Sequence, residues 1–136
     1  MADKTDKALI GNELIEENIV SLKGSFTEEN LAVLLTTFRK RILDAGQLVV
    51  AVDASGNDIN LTLKTANYNG KKWFVAFTSF DEELKGDGSV MSGFLADIGQ
   101  LFDMALKSDE VEGVLINPYG NMLSVNKAII MAVKGE

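Results

Sequence analysis

The amino-acid sequence predicts an α+β fold, in which a mixed sheet of about five strands packs with helices on at least one face. Three observations lead to this prediction. Two stretches before residue 47 repeat apolar residues at helical spacing, and the runs LVVAV (48–52) and KWFVAFT (72–78) are rich in β-branched and aromatic residues. From 72 to 116, the order strand, helix, strand favours parallel pairing through a right-handed crossover. The chain is predicted to form one domain over 1–136, with 1–11 as a flexible tail.

The first helix is predicted over 12–23. Asn12 is expected to cap its N-terminus, and Gly24 to end it. The apolar residues recur at helical spacing and should face the core: Leu14, Ile15, Ile19 and Leu22.

The second helix has the clearest end signals. Thr27 is the expected N-cap, and Phe26 and Leu31 stand at the positions of a hydrophobic staple. The apolar stripe that follows should pack on the core. Three basic residues near the C-terminus are expected to be solvated and to compensate the helix dipole, namely Arg39, Lys40 and Arg41.

Three strands come next and are predicted to form an antiparallel meander. The run 48–52 is apolar throughout, as in a strand covered on both faces, whereas INLTLKT (59–65) alternates and should be half-buried. The segments DASGND (53–58) and NYNGKK (67–72) are typical turns, and Asn69-Gly70 is a strong hairpin signal.

The hairpin signal also predicts which side chains share a face of the sheet. A two-residue loop at Asn69-Gly70 pairs Leu63 with Ala76. The opposite face then carries three apolar residues that would not stand in water, so we expect a helix or a second subunit to cover it. These predicted interface residues are Trp73, Val75 and Phe77.

The C-terminal half is predicted to contain a glycine-rich loop, a helix over about 93–107 and a strand over 111–117. A short strand near 122–125 and a helix over roughly 126–134 close the chain. The loop lacks the spacing of the known phosphate-binding motifs, and DASGND lacks the later ligands of a calcium loop.

Composition argues against several classes of function. The formal net charge is −7, which disfavours binding to nucleic acid. The sequence contains no cysteine and no histidine, so thiol nucleophiles, zinc–thiolate sites and histidine-based catalysis are excluded. The acidic residues show no spacing that singles out a catalytic pair. We therefore predict a protein that is not an enzyme and needs no cofactor or metal.

The N-terminal residues and the hydropathy bear on location. Charges stand where a signal peptide would need an apolar segment, and no apolar run approaches the roughly 20 residues needed to span a membrane. We predict a cytoplasmic protein without a membrane span.

Polar residues follow two of the predicted strands at the point where each ends. In TSFDEE (78–83), Ser79 and Glu82 fit a capping box. In NPYG (117–120), the residues fit a type I β-turn, and the Asn117 side chain could bond the backbone two residues further on. If the two strands are adjacent and parallel, both segments lie at one edge of the sheet, where ligands commonly bind. The candidate ligand-binding residues are Thr78, Ser79, Asn117, Pro118, Tyr119 and Gly120.

The order of these motifs resembles the N-terminal domain of the SseB family. The resemblance rests on the strand ending Ala76 to Ser79, the acids at 81–83, one helix, and a strand ending Asn117-Pro118, and it covers about 12–133. It implies the predicted α+β layout and no defined catalytic residues. Many members of that family carry a further C-terminal domain.

Two functions remain as hypotheses. The first is a non-catalytic cytoplasmic domain that binds a protein partner or itself. The alternative is a sensor of a small ligand, with a pocket at the ends of strands 72–78 and 111–117.

Overall fold

The computed structural model describes residues 9–53, 62–85 and 92–135. Within these ranges the chain forms five helices and seven strand segments. The helices are α1 (Asn12–Gly24), α2 (Glu28–Leu43), α3 (Phe80–Leu84), α4 (Ile98–Lys107) and α5 (Lys127–Lys134). The strands are β1 (Gln47–Asp53), β2 (Thr62–Leu63), β3 (Thr65–Tyr68), β4 (Lys71–Phe77), β5 (Ser92–Asp97), β6 (Gly113–Ile116) and β7 (Leu123–Asn126).

The strands form one mixed sheet, as predicted. β4 and β6 are parallel neighbours, with Val75 opposite Leu115, and the other pairings are antiparallel. β1 pairs with β5 along six residues, and β7 pairs with β6. β2 and β3 are one extended stretch interrupted at Lys64, so the sheet has six strands in effect. The α+β class and the parallel crossover are confirmed.

The stretch formed by β2 and β3 lies between β1 and β4 at one end of the sheet only. β2 pairs with β1, β3 pairs with β4, and the Lys64 backbone bonds both Ala51 and Val75. At the other end β1 and β4 pair directly, with Val50 opposite Ala76. The predicted meander is therefore correct for half the length of these strands.

The predicted hairpin register is confirmed for β3 and β4, but the predicted pair of Leu63 and Ala76 does not form, because Leu63 pairs with Val52 and Ala76 with Val50. Ala66 lies opposite Trp73 across a loop at Asn69 and Gly70, both of which have a positive φ, as this type of tight turn requires. Residues 54–61 lie outside the described ranges, so the first part of the strand predicted at 59–65 and most of the turn at 53–58 are not covered.

One face of the sheet carries the main hydrophobic core. Buried residues of α1, α2, α4 and α5 pack there against alternate residues of β1, β4, β6 and β7. Phe38 and Phe102 meet edge to face at its centre, with ring centroids 5.4 Å apart. The helical spacing of apolar residues therefore decides which side of each helix is buried.

The opposite face is buried as well. Leu9 packs there in a second cluster with Val49, Val75 and Phe77. Since Leu9 is only 6 % exposed, the predicted flexible tail is anchored at residue 9; residues 1–8 lie outside the described ranges. The three predicted interface residues Trp73, Val75 and Phe77 are 6, 2 and 1 % exposed in the single chain, so they offer little area to a partner.

The helix predicted at about 93–107 begins later than expected. Phe94 and Leu95 belong to β5, and α4 starts at Ile98. The apolar stripe of α4 continues backwards through these residues, which is why periodicity extended the helix. Pairing with β1 decides their conformation, and this contact is not visible in the local sequence.

The ends of the N-terminal helices match the predictions in part. Thr27 caps α2 by accepting a hydrogen bond from the Asn30 amide, as predicted. Phe26 is 76 % exposed, so the predicted hydrophobic staple with Leu31 would bury little of its side chain. The prediction for Asn12 was wrong, because Gly11 is the N-cap residue of α1 and Asn12 lies inside the helix. Leu14, expected in the core, is 47 % exposed.

The basic residues at the end of α2 are not all solvated. Arg41 is 6 % exposed, against the prediction. Arg39 donates to the backbone oxygens of Ala132 and Val133 and so stabilises the C-terminal end of α5, not that of its own helix.

Candidate functional site

The parallel pairing of β4 and β6 brings two predicted site residues together. Thr78 follows β4, Asn117 follows β6, and the two are 1 and 2 % exposed. The Thr78 amide donates to Asn117 Oδ1 at 2.9 Å, and Asn117 Nδ2 donates to Thr78 Oγ1 at 3.0 Å. The Thr78 hydroxyl in turn donates to Glu16 Oε2 on α1. The predicted proximity is present, but these polar groups already satisfy one another.

Asn12 extends this network to the first helix. Its Nδ2 donates to the backbone oxygens of Gln47 at 2.8 Å and Thr78 at 3.1 Å. Its Oδ1 accepts from Arg41 Nε at 2.9 Å. The side chain that was predicted as a cap therefore ties α1 to the start of β1, to the residue after β4 and to the end of α2.

Arg41 fits into this network because two glycines leave room for it. A Cβ atom on Gly46 would lie 2.6 Å from Arg41 Cζ, and one on Gly11 would lie 3.1 Å from Arg41 Nη1. Among the described residues, the buried polar or charged ones are Asn12, Arg41, Thr78 and Asn117. All four belong to this one network, which we call the strand-end network.

The turn after β6 is held by the same network. The Gly120 amide donates to the Asn117 oxygen at 3.0 Å, which confirms the predicted turn over 117–120. The Asn117 side chain bonds Thr78, so the predicted bond to its own turn was wrong. Asn117 has a φ of 56°, which asparagine tolerates better than most residues. Tyr119 is 44 % exposed, and its ring lies 5.6 Å from that of Phe77.

The segment after β4 forms half of the predicted capping box. Ser79 caps α3, since its hydroxyl accepts from the Glu82 amide at 3.2 Å. The return bond from Glu82 was wrongly predicted. Glu82 Oε2 accepts from Lys85 Nζ at 2.7 Å, while Oε1 is buried without a hydrogen-bond partner and lies against Gly120.

A cleft of about 600 Å³ opens above the strand-end network. It lies between α1, α3 and the turn after β6, and we call it the strand-end cleft. Its polar lining consists chiefly of Glu13, Glu16, Glu17, Glu82, Asn117 and Asn121. A second cavity of about 250 Å³ lies on the other side of Glu13 and Glu16 and is lined also by Ser79, Phe80 and Asp81.

The charges around the strand-end cleft are mostly negative. Lys85 lies close by and pairs with Glu82, whose hydrogen bond and charge raise the pKa of the lysine. Burial raises the pKa of the neighbouring Glu83, one of whose oxygens has no hydrogen-bond partner. In the described part of the chain, no group of three or more acidic side chains is placed to hold a metal ion.

The sequence located this edge of the sheet but missed part of the site. Thr78 and Asn117 lie in the floor of the edge, Ser79 caps a helix, and Pro118 and Tyr119 form the corner of the turn. Three residues went unrecognised in these roles: Asn12, Glu16 and Arg41. One signal in the sequence could have indicated the role of α1 in the site. Four of its residues recur at the spacing of a single helix face, namely Glu13, Glu16, Glu17 and Val20.

The chain was compared with family models, curated proteins and solved structures, and none of these gave a significant match. In the described residues, no helix is long and apolar enough to cross a membrane.

Proposed function

We propose that this protein is a non-catalytic interaction domain that binds a partner protein in the strand-end cleft. The observation that carries the proposal is the cleft itself, a concavity of about 600 Å³ beside the carboxyl ends of the parallel strands β4 and β6. Binding sites in open sheets favour this edge, because the loops that leave the strands can vary without disturbing the sheet.

The strand-end network supports this proposal by fixing the floor of the cleft. Asn12 holds the start of α1, and Asn117 holds the turn after β6, each through several hydrogen bonds. Two walls of the cleft are therefore set before a partner arrives, which lowers the entropy cost of binding. Such preorganisation should raise the affinity of the cleft for a partner protein.

The chemistry of the cleft favours binding over catalysis. Thr78 is 1 % exposed, and its hydroxyl group is hydrogen-bonded to Glu16 and Asn117. The hydroxyl group is therefore not accessible to a substrate. The resemblance to the SseB family, which implies no defined catalytic residues, points the same way. We include the predicted cytoplasmic location in the proposal.

Site-specific photo-crosslinking tests the proposal. A photoreactive amino acid replaces Val20, which lines the cleft and is 55 % exposed, and separately replaces Met131 on α5, which is 41 % exposed. In extract from the source cells, we expect a discrete protein adduct at position 20 and none at position 131. Equal labelling at both positions, or no adduct at position 20, would refute the proposal.

A small ligand is the second candidate, because the cleft volume falls in the usual range for ligand pockets, roughly 300–1,000 Å³. A thermal-shift screen of amines, amino acids, nucleotides and anions checks this candidate. A cationic compound should raise the Tm, and Glu17→Gln should reduce the shift. If no compound moves the Tm, the small-ligand reading is lost and the protein-binding reading is unaffected.

A further inference from the structure

We infer that the partner presents a basic amphipathic segment, with lysine or arginine side chains toward the cleft and apolar side chains against its rim. This inference rests on the proposed function and gives the chemistry of the partner. Two independent features of the surface lead to it, namely the charge of the cleft and the exposed apolar residues around it.

The charge comes mainly from one face of α1. Glu13 lies three residues before Glu16 and four before Glu17, so one face of α1 presents three negative charges to the cleft. Glu82 faces them from α3 and has its one ion pair with Lys85. A cationic partner would be attracted by this negative charge. An anionic partner would instead be repelled, and the overall charge of −7 adds to that effect.

The apolar rim is the second feature. Among the described residues, twelve large hydrophobic side chains are exposed, and six of them lie on the segments that build the two cavities. Val20 lines the strand-end cleft itself and is 55 % exposed, while Leu84 on α3 is 76 % exposed. Of the six, Val20 lines the strand-end cleft and Phe80 lines the second cavity, whereas the other four lie elsewhere on the same segments, namely Ile10, Leu14, Leu84 and Tyr119; we call the six together the apolar rim. A free lysine or a polyamine would leave this rim uncovered.

An amphipathic segment satisfies both features at once. The long stems of lysine and arginine can lie along apolar surface while their charged ends reach carboxylates. Helices with one apolar face commonly bind in grooves of this kind. A purely polar basic peptide would gain from the carboxylates only, and a purely apolar one from the rim only.

Fluorescence anisotropy with synthetic peptides tests the inference. The probe is a fluorescein-labelled amphipathic peptide of leucine and lysine, compared with one that carries glutamate for lysine and with oligolysine of equal charge. We expect the leucine–lysine peptide to bind, the glutamate peptide not to bind, and oligolysine to bind about tenfold more weakly. Raising the salt concentration should weaken the binding.

Matched variants test whether the peptide binds at the strand-end cleft. The double substitution Glu13→Gln/Glu17→Gln removes two exposed carboxylates from the cleft and should weaken binding about three- to tenfold. Val20→Ser should weaken it about threefold. The control, Asp109→Asn/Glu110→Gln, removes two exposed carboxylates before β6, at the opposite end of the strands, and should leave the affinity unchanged.

The results also separate this inference from the proposed function. Equal weakening by the control pair would mean that net charge alone attracts the peptide, and oligolysine binding as tightly as the amphipathic peptide would remove the role of the rim; either result overturns the inference. If an adduct forms at position 20 but no basic peptide binds, the proposed function stands and this inference fails. If neither is observed, both fail.

Discussion

The substitution Asn117→Ala tests how much the strand-end network contributes to stability. In the folded chain, Asn117 accepts from the Thr78 amide at 2.9 Å and donates to the Thr78 hydroxyl at 3.0 Å, and both residues are almost fully buried. Alanine would leave the Thr78 amide buried without a partner, at a cost of about 1–3 kcal/mol. Alanine also tolerates a φ of 56° less well than asparagine, which should add about 1 kcal/mol. We expect a total loss of about 2–4 kcal/mol.

Urea unfolding followed by circular dichroism measures this loss, and Trp73 fluorescence gives a second probe because it is the single tryptophan. A thermal scan should show a fall in Tm of roughly 6–12 °C, at about 3 °C per kcal/mol for a chain of this length. The matched control is Asn121→Ala, directly after the same turn. Asn121 is exposed, so its replacement should change the free energy of unfolding by less than about 0.5 kcal/mol.

A second variant separates the two contributions. Asn117→Gly removes the same hydrogen bonds, but glycine accepts a positive φ without strain. The glycine variant should therefore be more stable than the alanine variant by about 1 kcal/mol, reduced by the larger backbone entropy that glycine loses on folding. A loss below about 1 kcal/mol for Asn117→Ala would refute the reasoning. It would mean that water or another group can satisfy the Thr78 amide, and that the network does not hold the turn.

Three further predictions concern the fold. Gly113→Ala should destabilise by more than about 2 kcal/mol in urea unfolding, because its Cβ would lie 2.1 Å from the Val125 oxygen; Gly24→Ala, with open space around it, should have no such effect. Thr27→Ala should lose about 1 kcal/mol with the cap of α2, and Thr27→Ser should retain it; equal losses would contradict the assigned bond. Burial raises the pKa of Glu83 above its value in the unfolded chain, so the stability it contributes is present below about pH 4.5 and is lost as the pH rises through the folded pKa. Glu83→Gln should therefore be more stable than the parent at pH 7, and the difference should vanish at pH 4; a constant difference would show that burial of the charge is not the cause.

Local signals in the sequence were sufficient where a short segment decides its own structure. The Asn69-Gly70 turn sets the register of β3 and β4, because both central positions need a positive φ that these residues accept. The cap of α2 at Thr27 is equally local. The parallel pairing of β4 and β6 followed from the order of elements alone.

Contacts distant in sequence explain the failures. Phe94 became part of a strand because β1 pairs with it, although its own neighbours continue a helical stripe. Asn12 was interpreted as a cap, yet its partner Thr78 is 66 residues away. No pattern in the sequence distinguishes an asparagine that caps a helix from one that crosses to a sheet edge, because the residue type is suited to both.

The same distinction explains why the binding residues differ from those the sequence suggested. Polar residues at strand ends are expected to serve ligands, but here the start of β1 and the ends of β4 and β6 lie beside α1, and their buried polar groups must be satisfied within the fold. Asn12 and Asn117 do this, so they set the position of the cleft but contribute little chemistry to it. The exposed carboxylates at the cleft belong to Glu13, which follows Asn12 and also accepts from the Gly11 amide, and to Glu17, about one turn further along α1. A buried network that holds a helix in place thus determines where the helix presents its charges, which is why stability and binding should separate in the variants of Asn117 and Glu17.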